Sequence, residues 1–326
     1  MKFQRGMSLA ELMIAMTLGL MLTMGLATLF TQTRQSFAQD EQVAIMQSGL
    51  RFAMEELVRD ATMAGFWGGL LEPVGITIVD DLGINAISDC GTDWAQTLVP
   101  PLGGVNNATA AAANAAFPCI VAAEFRATTD VVMFKRVLGN AIPNAVSECD
   151  HVFGNGQTLV NDTIYLAENG VTGALFKHPE PSGIGGCVEN RQLAPVLYYI
   201  QNFTTAGDGI PSLCRKVLQM GAIPNMTNEC LVDGIEQLQI EYGIDTNGDG
   251  VASRYVSAPT ADQFALVTSV RIHLLSRALR PDPNYTNPKT YVLGDLSFTP
   301  NDNFYRRAAT TTVVVRNPTN LRNLGN

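Results

Sequence analysis

A stretch of nineteen residues without a single charge, residues 12–30, constrains the fold of this chain more than any other feature. As an α-helix rising about 1.5 Å per residue, it would span about 28 Å. That length is close to the hydrocarbon thickness of a bilayer, about 30 Å. Lys2 and Arg5 precede the stretch, which favours a cytoplasmic amino terminus and places the rest of the chain across the membrane. A cleaved secretory signal is the alternative, but its apolar region is shorter and ends in small residues.

Glu11 lies at the edge of this apolar stretch. A carboxylate there is costly if it sits deep in the membrane without a partner. In the simpler interpretation, Glu11 lies at the level of the lipid headgroups. In the functional one, it pairs with a positive group, and the nearest candidate is the α-amino group created by a cut after Gly6.

Gly6, the apolar Met7, a glutamate five residues into the cut chain and the apolar helix together resemble the class III signal of type IV pilins and pseudopilins. The resemblance implies that a prepilin peptidase cuts after Gly6 and methylates the amino group of Met7. It also implies that Glu11 is the glutamate needed for assembly. The chain departs from the family in two places: Met7 replaces the usual Phe, and Thr28 replaces the Pro that kinks many major pilin helices.

The helical pattern continues over residues 31–64, which contain no Pro. Apolar residues recur there at spacings of three and four: Val43, Met46, Leu50, Ala53, Met54, Leu57, Val58 and Ala61. Charged residues occupy much of the remaining surface: Arg51, Glu55, Glu56, Arg59 and Asp60. We predict an amphipathic helix that ends at Gly65 and packs its apolar face on a sheet.

From residue 65 onward, Gly, Pro, Asn and Asp separate short apolar runs. Strands are predicted over residues 128–137, 163–166, 196–200, 212–218, 235–242, 266–275 and 310–315. In the strand 266–275, alternation assigns Leu266, Val270, Ile272 and Leu274 to the core face, and Val267, Ser269, Arg271 and His273 to the opposite, exposed face. Residues 104–117 are expected to form a loop or a weak helix.

Three blocks, residues 51–68, 231–257 and 306–318, resemble PilW-type minor pilins. The resemblance implies an α+β, type IV pilin-like fold in which a long amino-terminal helix packs on an antiparallel sheet, and a role in starting or capping a type IV pilus. The implied organisation is a leader (1–6), a transmembrane helix half (7–30), an amphipathic helix half (31–64) and a periplasmic β-rich head (65–326). The implied partners are a prepilin peptidase, other minor pilins, the major pilin, the inner-membrane assembly platform and an adhesin at the pilus tip.

Six cysteines lie beyond residue 89, at Cys90, Cys119, Cys149, Cys187, Cys214 and Cys230, with no Cys-x-x-Cys pair. An even number at wide spacing favours disulfides in an oxidising compartment, and free thiols in a cytosolic core are the alternative. Six cysteines allow fifteen pairings. Cys214–Cys230 is the favoured pair, because Pro224 and the Asn residues between the two predict a chain reversal.

Residues 245–250 carry oxygen ligands at alternate positions and Gly at the sixth, as a calcium loop does. Asp245, Asn247, Asp249 and the carbonyl group of Val251 are the candidate ligands, but Val256 stands where a bidentate Glu is expected. A polar turn between two strands is the competing interpretation. We therefore expect weak calcium binding or none, and no other cofactor.

Several functions are disfavoured by composition. The formal net charge is −9, and no dense Lys/Arg run is present, so nucleic acid is not an expected partner. The three histidines share no metal-ligand spacing, and hydrolase and phosphate-loop motifs are absent, so no enzyme is predicted. A minor pseudopilin of a type II secretion system and a membrane-tethered binding protein that never polymerises remain as alternatives.

Overall fold

The computed structural model describes residues 8–70, 73, 75–143 and 158–317, apart from the side chains at 35, 38 and 143. The chain divides into two units, Met1–Ile45 and Met46–Asn326. Helix α1, Leu9–Met63, runs without a break through 55 residues. Within Met46–Asn326 its last turns pack on the head, and the helix ends two residues before Gly65. That glycine has φ +74° and donates its N–H to the Lys135 carbonyl at 2.9 Å.

The head contains sixteen strands and two short helices within the described residues. The strands are β1 (Thr77–Ile78), β2 (Leu102–Ala108), β3 (Thr129–Phe134), β4 (Ile142–Pro143), β5 (Ile164–Glu168), β6 (Gly173–Lys177), β7 (Glu189–Gln192), β8 (Val196–Gln201), β9 (Ser212–Gln219), β10 (Asn225–Asp233), β11 (Ile235–Ile244), β12 (Arg254–Val256), β13 (Val267–Arg277), β14 (Tyr291–Leu293), β15 (Leu296–Phe298) and β16 (Arg306–Val314). Helix α2 covers Ala110–Ala116, and α3 covers Ala261–Phe264.

The strands form three sheets and a hairpin rather than one sheet. Sheet I has the order β10-β9-β8-β3-β2, sheet II the order β12-β11-β13-β16, and sheet III the order β1-β6-β5-β7-β4. Strands β14 and β15 form the separate hairpin. Pairing is antiparallel except between β1 and β6. The predicted α+β class, with a long amino-terminal helix and antiparallel sheets, is confirmed.

Sheet I is buried on both faces. Val132 and Tyr198 point into a core shared with α1 and sheet II, whereas the neighbouring Val131 and Leu197 point into a second core shared with sheet III and residues 67–120. Every residue of β3 and β8 is buried as a result. The sequence at residues 196–200 is therefore a continuous apolar run rather than an alternation of polar and apolar residues.

One local prediction is partly confirmed and another is wrong. Residues 104–117 were expected to form a loop or a weak helix, and they form the end of β2 followed by the short helix α2, whose Thr109 hydroxyl accepts a hydrogen bond from the Ala112 N–H. In β13 it is Val267, not Leu266, that joins the core with Val270. The reason is a β-bulge: Ile244 pairs with Val267 but Gly243 pairs with Ser269, and the extra residue reverses the alternation.

His273 was predicted to be exposed, and this is also wrong, since only 8% of it is accessible. The β14–β15 hairpin lies on this face of sheet II, where Leu293 packs with Leu275. His273 Nε2 lies 2.9 Å from a Glu241 oxygen, and its Nδ1 lies 3.0 Å from the Thr310 hydroxyl. The face that alternation assigns to solvent is therefore covered by a later part of the chain.

Candidate functional site

The start of α1 is a capping box formed by Ser8 and Glu11. The Ser8 N–H donates to Glu11 Oε2 at 2.9 Å, and the Glu11 N–H donates to Ser8 Oγ at 3.2 Å. These bonds satisfy backbone donors that a helix start leaves free. The Ser-x-x-Glu spacing ahead of an apolar run is the sequence signal for this role, and sequence reasoning missed it. Gly6 and Met7, the predicted processing residues, lie outside the described residues.

Residues 12–30 of α1 carry no charge, are mostly apolar and are exposed. In the described part of the chain, α1 is the one helix whose length and composition suit a membrane span, with a mean hydropathy of 2.0 over 18 residues. Its polar side chains bond within the helix, since Thr23 and Thr28 donate to the carbonyls of Leu20 and Gly25 at 3.0 and 2.8 Å. Internal pairing of this kind is what a lipid environment requires.

The other end of α1 is joined to the head through Asp60. This residue was expected on the polar face of the helix, but it is only 2% exposed. Its Oδ1 accepts a hydrogen bond from Arg136 Nη2 at 2.7 Å, and its Oδ2 accepts one from the Tyr198 hydroxyl at 2.6 Å. Burial raises the pKa of Tyr198, and the Asp60 charge raises it further, so the phenol remains a donor. No periodicity in the sequence marks a buried pair whose members are 76 residues apart.

A second buried charge cluster surrounds Glu236, which is 2% exposed. Its carboxylate lies 2.5 Å from Arg306 Nε, 2.9 Å from Arg126 Nη2 and 3.8 Å from Arg277 Nη1. Arg306 also binds Asp302. Sequence reasoning included Arg306 in a family-like block but assigned it no role, whereas the structure shows that it anchors β16 beside the start of β11.

The disulfides predicted from the cysteine pattern are present in the head. Cys214 and Cys230, the pair that the sequence favours, are bonded and lie directly opposite each other on β9 and β10. Cys90 is bonded to Cys119, and Cys187 is in a disulfide. Cys149 lies outside the described residues.

The loop between β11 and β12 is closed by the buried carboxylate of Asp245. This carboxylate accepts hydrogen bonds from the N–H groups of Asn247, Gly248 and Gly250, at 3.1, 2.6 and 3.0 Å. Asp249 accepts the Val251 N–H at 2.8 Å. The carboxylates of Asp245 and Asp249 are therefore engaged in a polar turn. Within the described residues, no three His, Cys, Asp or Glu side chains are grouped so that they could hold a metal.

Burial shifts the pKa of two groups in the head. It raises the pKa of Asp130 to about 7, although the carboxylate accepts backbone N–H bonds from Asn107 and Ile240, both at 2.7 Å. It lowers the pKa of Lys135 to about 8, where the Nζ donates to the carbonyls of Trp94 and Thr97. Asp130 joins β3 to β2 and β11, and Lys135 holds the segment of Trp94 and Thr97 beside the end of β3, so both roles are structural.

Comparison with known families matches both ends of the chain. Residues 1–27 match the prokaryotic N-terminal methylation motif, and residues 197–317 match the model of the type IV pilus-assembly protein W family. The chain combines a pilin-type amino terminus with a PilW-type carboxy-terminal region. The PilW-type region runs from β8 to the end of β16 and includes Glu236, Arg277, Asp302 and Arg306 of the Glu236 cluster. The PilW family is a family of pilus-assembly proteins rather than of enzymes.

A search of the solved structures found a type IV-like pilin from Thermus thermophilus. It is 12% identical, covers 59% of this chain and 80% of its own, and gives a TM-score of 0.27, which is too low to add to the description of the fold. A search of curated proteins gave no match.

Proposed function

We propose that this protein is a minor pilin that primes or caps the assembly of a type IV pilus. The observation that carries the proposal is the presence of a methylation motif at residues 1–27 and a PilW match at residues 197–317 on one chain. A pilus that forms through this protein would serve twitching, adhesion or DNA uptake.

The proposed route begins in the inner membrane. A prepilin peptidase removes residues 1–6 by cutting after Gly6 and methylates Met7. Residues 7–30 then span the membrane, residues 31–64 form the amphipathic helix half, and residues 65–326 form the periplasmic head. Other minor pilins, the major pilin and the assembly platform receive the processed protein, which ends at the pilus tip with an adhesin.

Two other functions compete with this one. A type II secretion pseudopilin would share the methylation motif, but the PilW match favours a pilus. A membrane tether that never polymerises would not need a carboxylate at position 11, where Glu11 precedes an apolar segment.

Deletion of the gene tests the proposal. We expect loss of most surface pili, restoration by the wild-type chain, and normal secretion of enzymes that leave by a type II system. Normal piliation with defective secretion would instead support the pseudopilin.

Processing is tested separately with Gly6→Val. We expect the variant to keep residues 1–6, as measured by mass spectrometry of the membrane protein. A mature amino terminus at Met7 in this variant would contradict the assigned cleavage site.

A further inference from the structure

A small cavity of about 170 Å³ lies where the end of α1 meets sheet I. Arg59 and Asp60 from α1, Arg136 from the segment after β3, and Arg215 from β9 form its charged side. The rest of the lining is largely apolar and includes Ala194, Pro195 and Val217. The cavity thus places three guanidinium groups beside an apolar wall.

The guanidinium group of Arg136 carries one donor that has no acceptor among the described residues. Its side chain is 12% exposed and donates from Nη2 to Asp60, but its Nε is buried and has no acceptor among the described residues. A buried N–H without an acceptor is unfavourable, because it has given up its bond to water. Arg136, which lines the cavity, is therefore not fully paired within the described part of the fold.

The other two guanidinium groups are held in place by acidic side chains outside the cavity lining. Arg59 and Arg215 both bind Glu56, at 2.6 and 2.9 Å, and Arg215 also binds Glu229 at 2.8 Å. Each guanidinium has five N–H donors in a fixed plane. Orienting these groups in advance lowers the entropy lost when an anion binds.

The size of the cavity limits what it can hold. Sites for cofactors and metabolites usually occupy about 300–1,000 Å³, so this cavity suits one functional group on a short apolar stem. Guanidinium groups match the planar geometry of a carboxylate. Asp60, Glu56 and Glu229 balance the three arginines in formal charge, so we expect weak affinity and a role in alignment rather than in tight binding.

We propose that this cavity binds the side-chain carboxylate of an aspartate or glutamate on a neighbouring pilin subunit. The inference that the ligand is a carboxylate depends on the residues that line the cavity. The inference that it comes from a pilin subunit rests on the proposed pilus function. Such a contact would fix the rotation of the head relative to its neighbour during assembly.

The carboxylate site is tested with the full chain in detergent micelles. The probe is N-acetylglutamate amide, and its neutral isostere N-acetylglutamine amide is the matched ligand, both measured by saturation-transfer NMR. We expect the acid to bind at least about tenfold more tightly than the amide, as for a lost charge-assisted hydrogen bond. Equal binding of the two ligands would overturn the proposal.

Variants separate the cavity from general charge. Ala194→Leu fills the cavity without changing its charged residues. Arg59→Gln removes one charge from the lining and leaves the Asp60–Arg136 ion pair intact. Both should weaken binding of the acid about tenfold or more. Arg254→Gln removes an exposed charge from β12 and should leave binding unchanged. Wild-type binding by Ala194→Leu, or an equal loss in Arg254→Gln, would contradict the site.

The source of the carboxylate is tested in cells that assemble pili, with a photo-cross-linking residue in place of Gln192, which lines the cavity. We expect a cross-link to another pilin subunit at a peptide containing Asp or Glu. Binding of the probe without any pilin cross-link would overturn the assignment to a neighbouring subunit. If deletion of the gene leaves piliation intact, the pilus function fails, while the probe measurement still decides the carboxylate site.

Discussion

The Tyr198 hydroxyl of β8 donates a 2.6 Å hydrogen bond to Asp60 of α1, and the two residues lie 138 positions apart in the chain. The same carboxylate binds Arg136. Helix and sheet I are thereby joined by a buried charge pair as well as by apolar packing. Removing one member of such a pair leaves the other charge buried and unpaired.

Asp60→Leu should lower the free energy of unfolding by about 3–5 kcal/mol, because Arg136 would remain buried without its partner. The double variant Asp60→Leu/Arg136→Met should recover much of this loss, since a hydrophobic pair avoids desolvating two charges. Glu55→Gln is the control, since Glu55 is largely exposed and should change stability by less than about 0.5 kcal/mol. Urea unfolding of the full chain, followed by tryptophan fluorescence, measures all three. Equal losses in the single and double variants would contradict the pairing.

The two roles of Glu11 can be separated by substitution. Glu11→Gln keeps a capping-box side chain but removes the charge, so it should be processed and inserted yet fail to enter pili. Ser8→Ala loses the cap, at a cost of about 1 kcal/mol to the start of the helix, and should still assemble. Quantitative immunoblots of sheared pili and membranes provide the measurement. Normal assembly of Glu11→Gln would show that the capping box, not the charge, explains this residue.

The Cys214–Cys230 bond should stabilise the head. In the chain-entropy model, a loop of 16 residues is worth about 3 kcal/mol, so Cys214→Ser/Cys230→Ser should lose about that amount in urea unfolding. Reduction should destabilise the wild type and affect this variant less. Peptide mapping by mass spectrometry without reductant checks the pairing directly. Free thiols at both positions in periplasmic protein would refute it.

The loop at 245–250 should stabilise the head without calcium. Asp245→Ala removes the acceptor for three backbone N–H groups and should cost about 1–3 kcal/mol. Asp249→Ala should cost less, because Asp249 closes only the outer part of the turn. For each variant and for the wild type, the melting temperature measured with millimolar calcium should equal the one measured with chelator. A large calcium-dependent rise in the wild type that Asp249→Ala abolishes would establish a calcium site instead.

Asp130 should make stability depend on pH. Burial raises its pKa from 3.8 to about 7, so the folded state holds this proton more tightly than the unfolded chain. Below about pH 4 both states are protonated and the group contributes nothing. Between about pH 4 and 7 only the unfolded state ionises, so stability falls as pH rises, by at most about 4 kcal/mol.

Asp130→Asn removes this titration. The variant loses one hydrogen-bond acceptor at every pH, but its stability relative to the wild type should improve between pH 5 and pH 7.5. Urea unfolding at the two pH values gives the comparison, and Asp262→Asn on the exposed start of α3 is the control. The same difference between Asp130→Asn and the wild type at both pH values would contradict the assigned pKa.

Local patterns determined much of what could be predicted. Helix α1 and the central residues of seven strands could be predicted from the sequence. The signals for them are the apolar run, the absence of Pro in residues 31–64 and the short β-branched segments, and each involves residues only a few positions apart. The disulfide partners Cys214 and Cys230 were accessible for the same reason, since a single hairpin joins them. The second strand of that hairpin, β10, was missed because its residues alternate weakly between polar and apolar.

By itself, the sequence determined an apolar amino-terminal helix, a β-rich head with disulfides, and the resemblance to PilW-type pilins. Only the tertiary structure decided which polar residues are buried: Asp60, Glu236 and His273 sit in helix or strand positions that periodicity assigns to solvent or leaves open. Their burial depends on partners 32 or more residues away in the chain and on a hairpin that covers the outer face of sheet II. Periodicity reports which side of an element is polar, but only the packing of distant elements determines whether that side meets water or another charge.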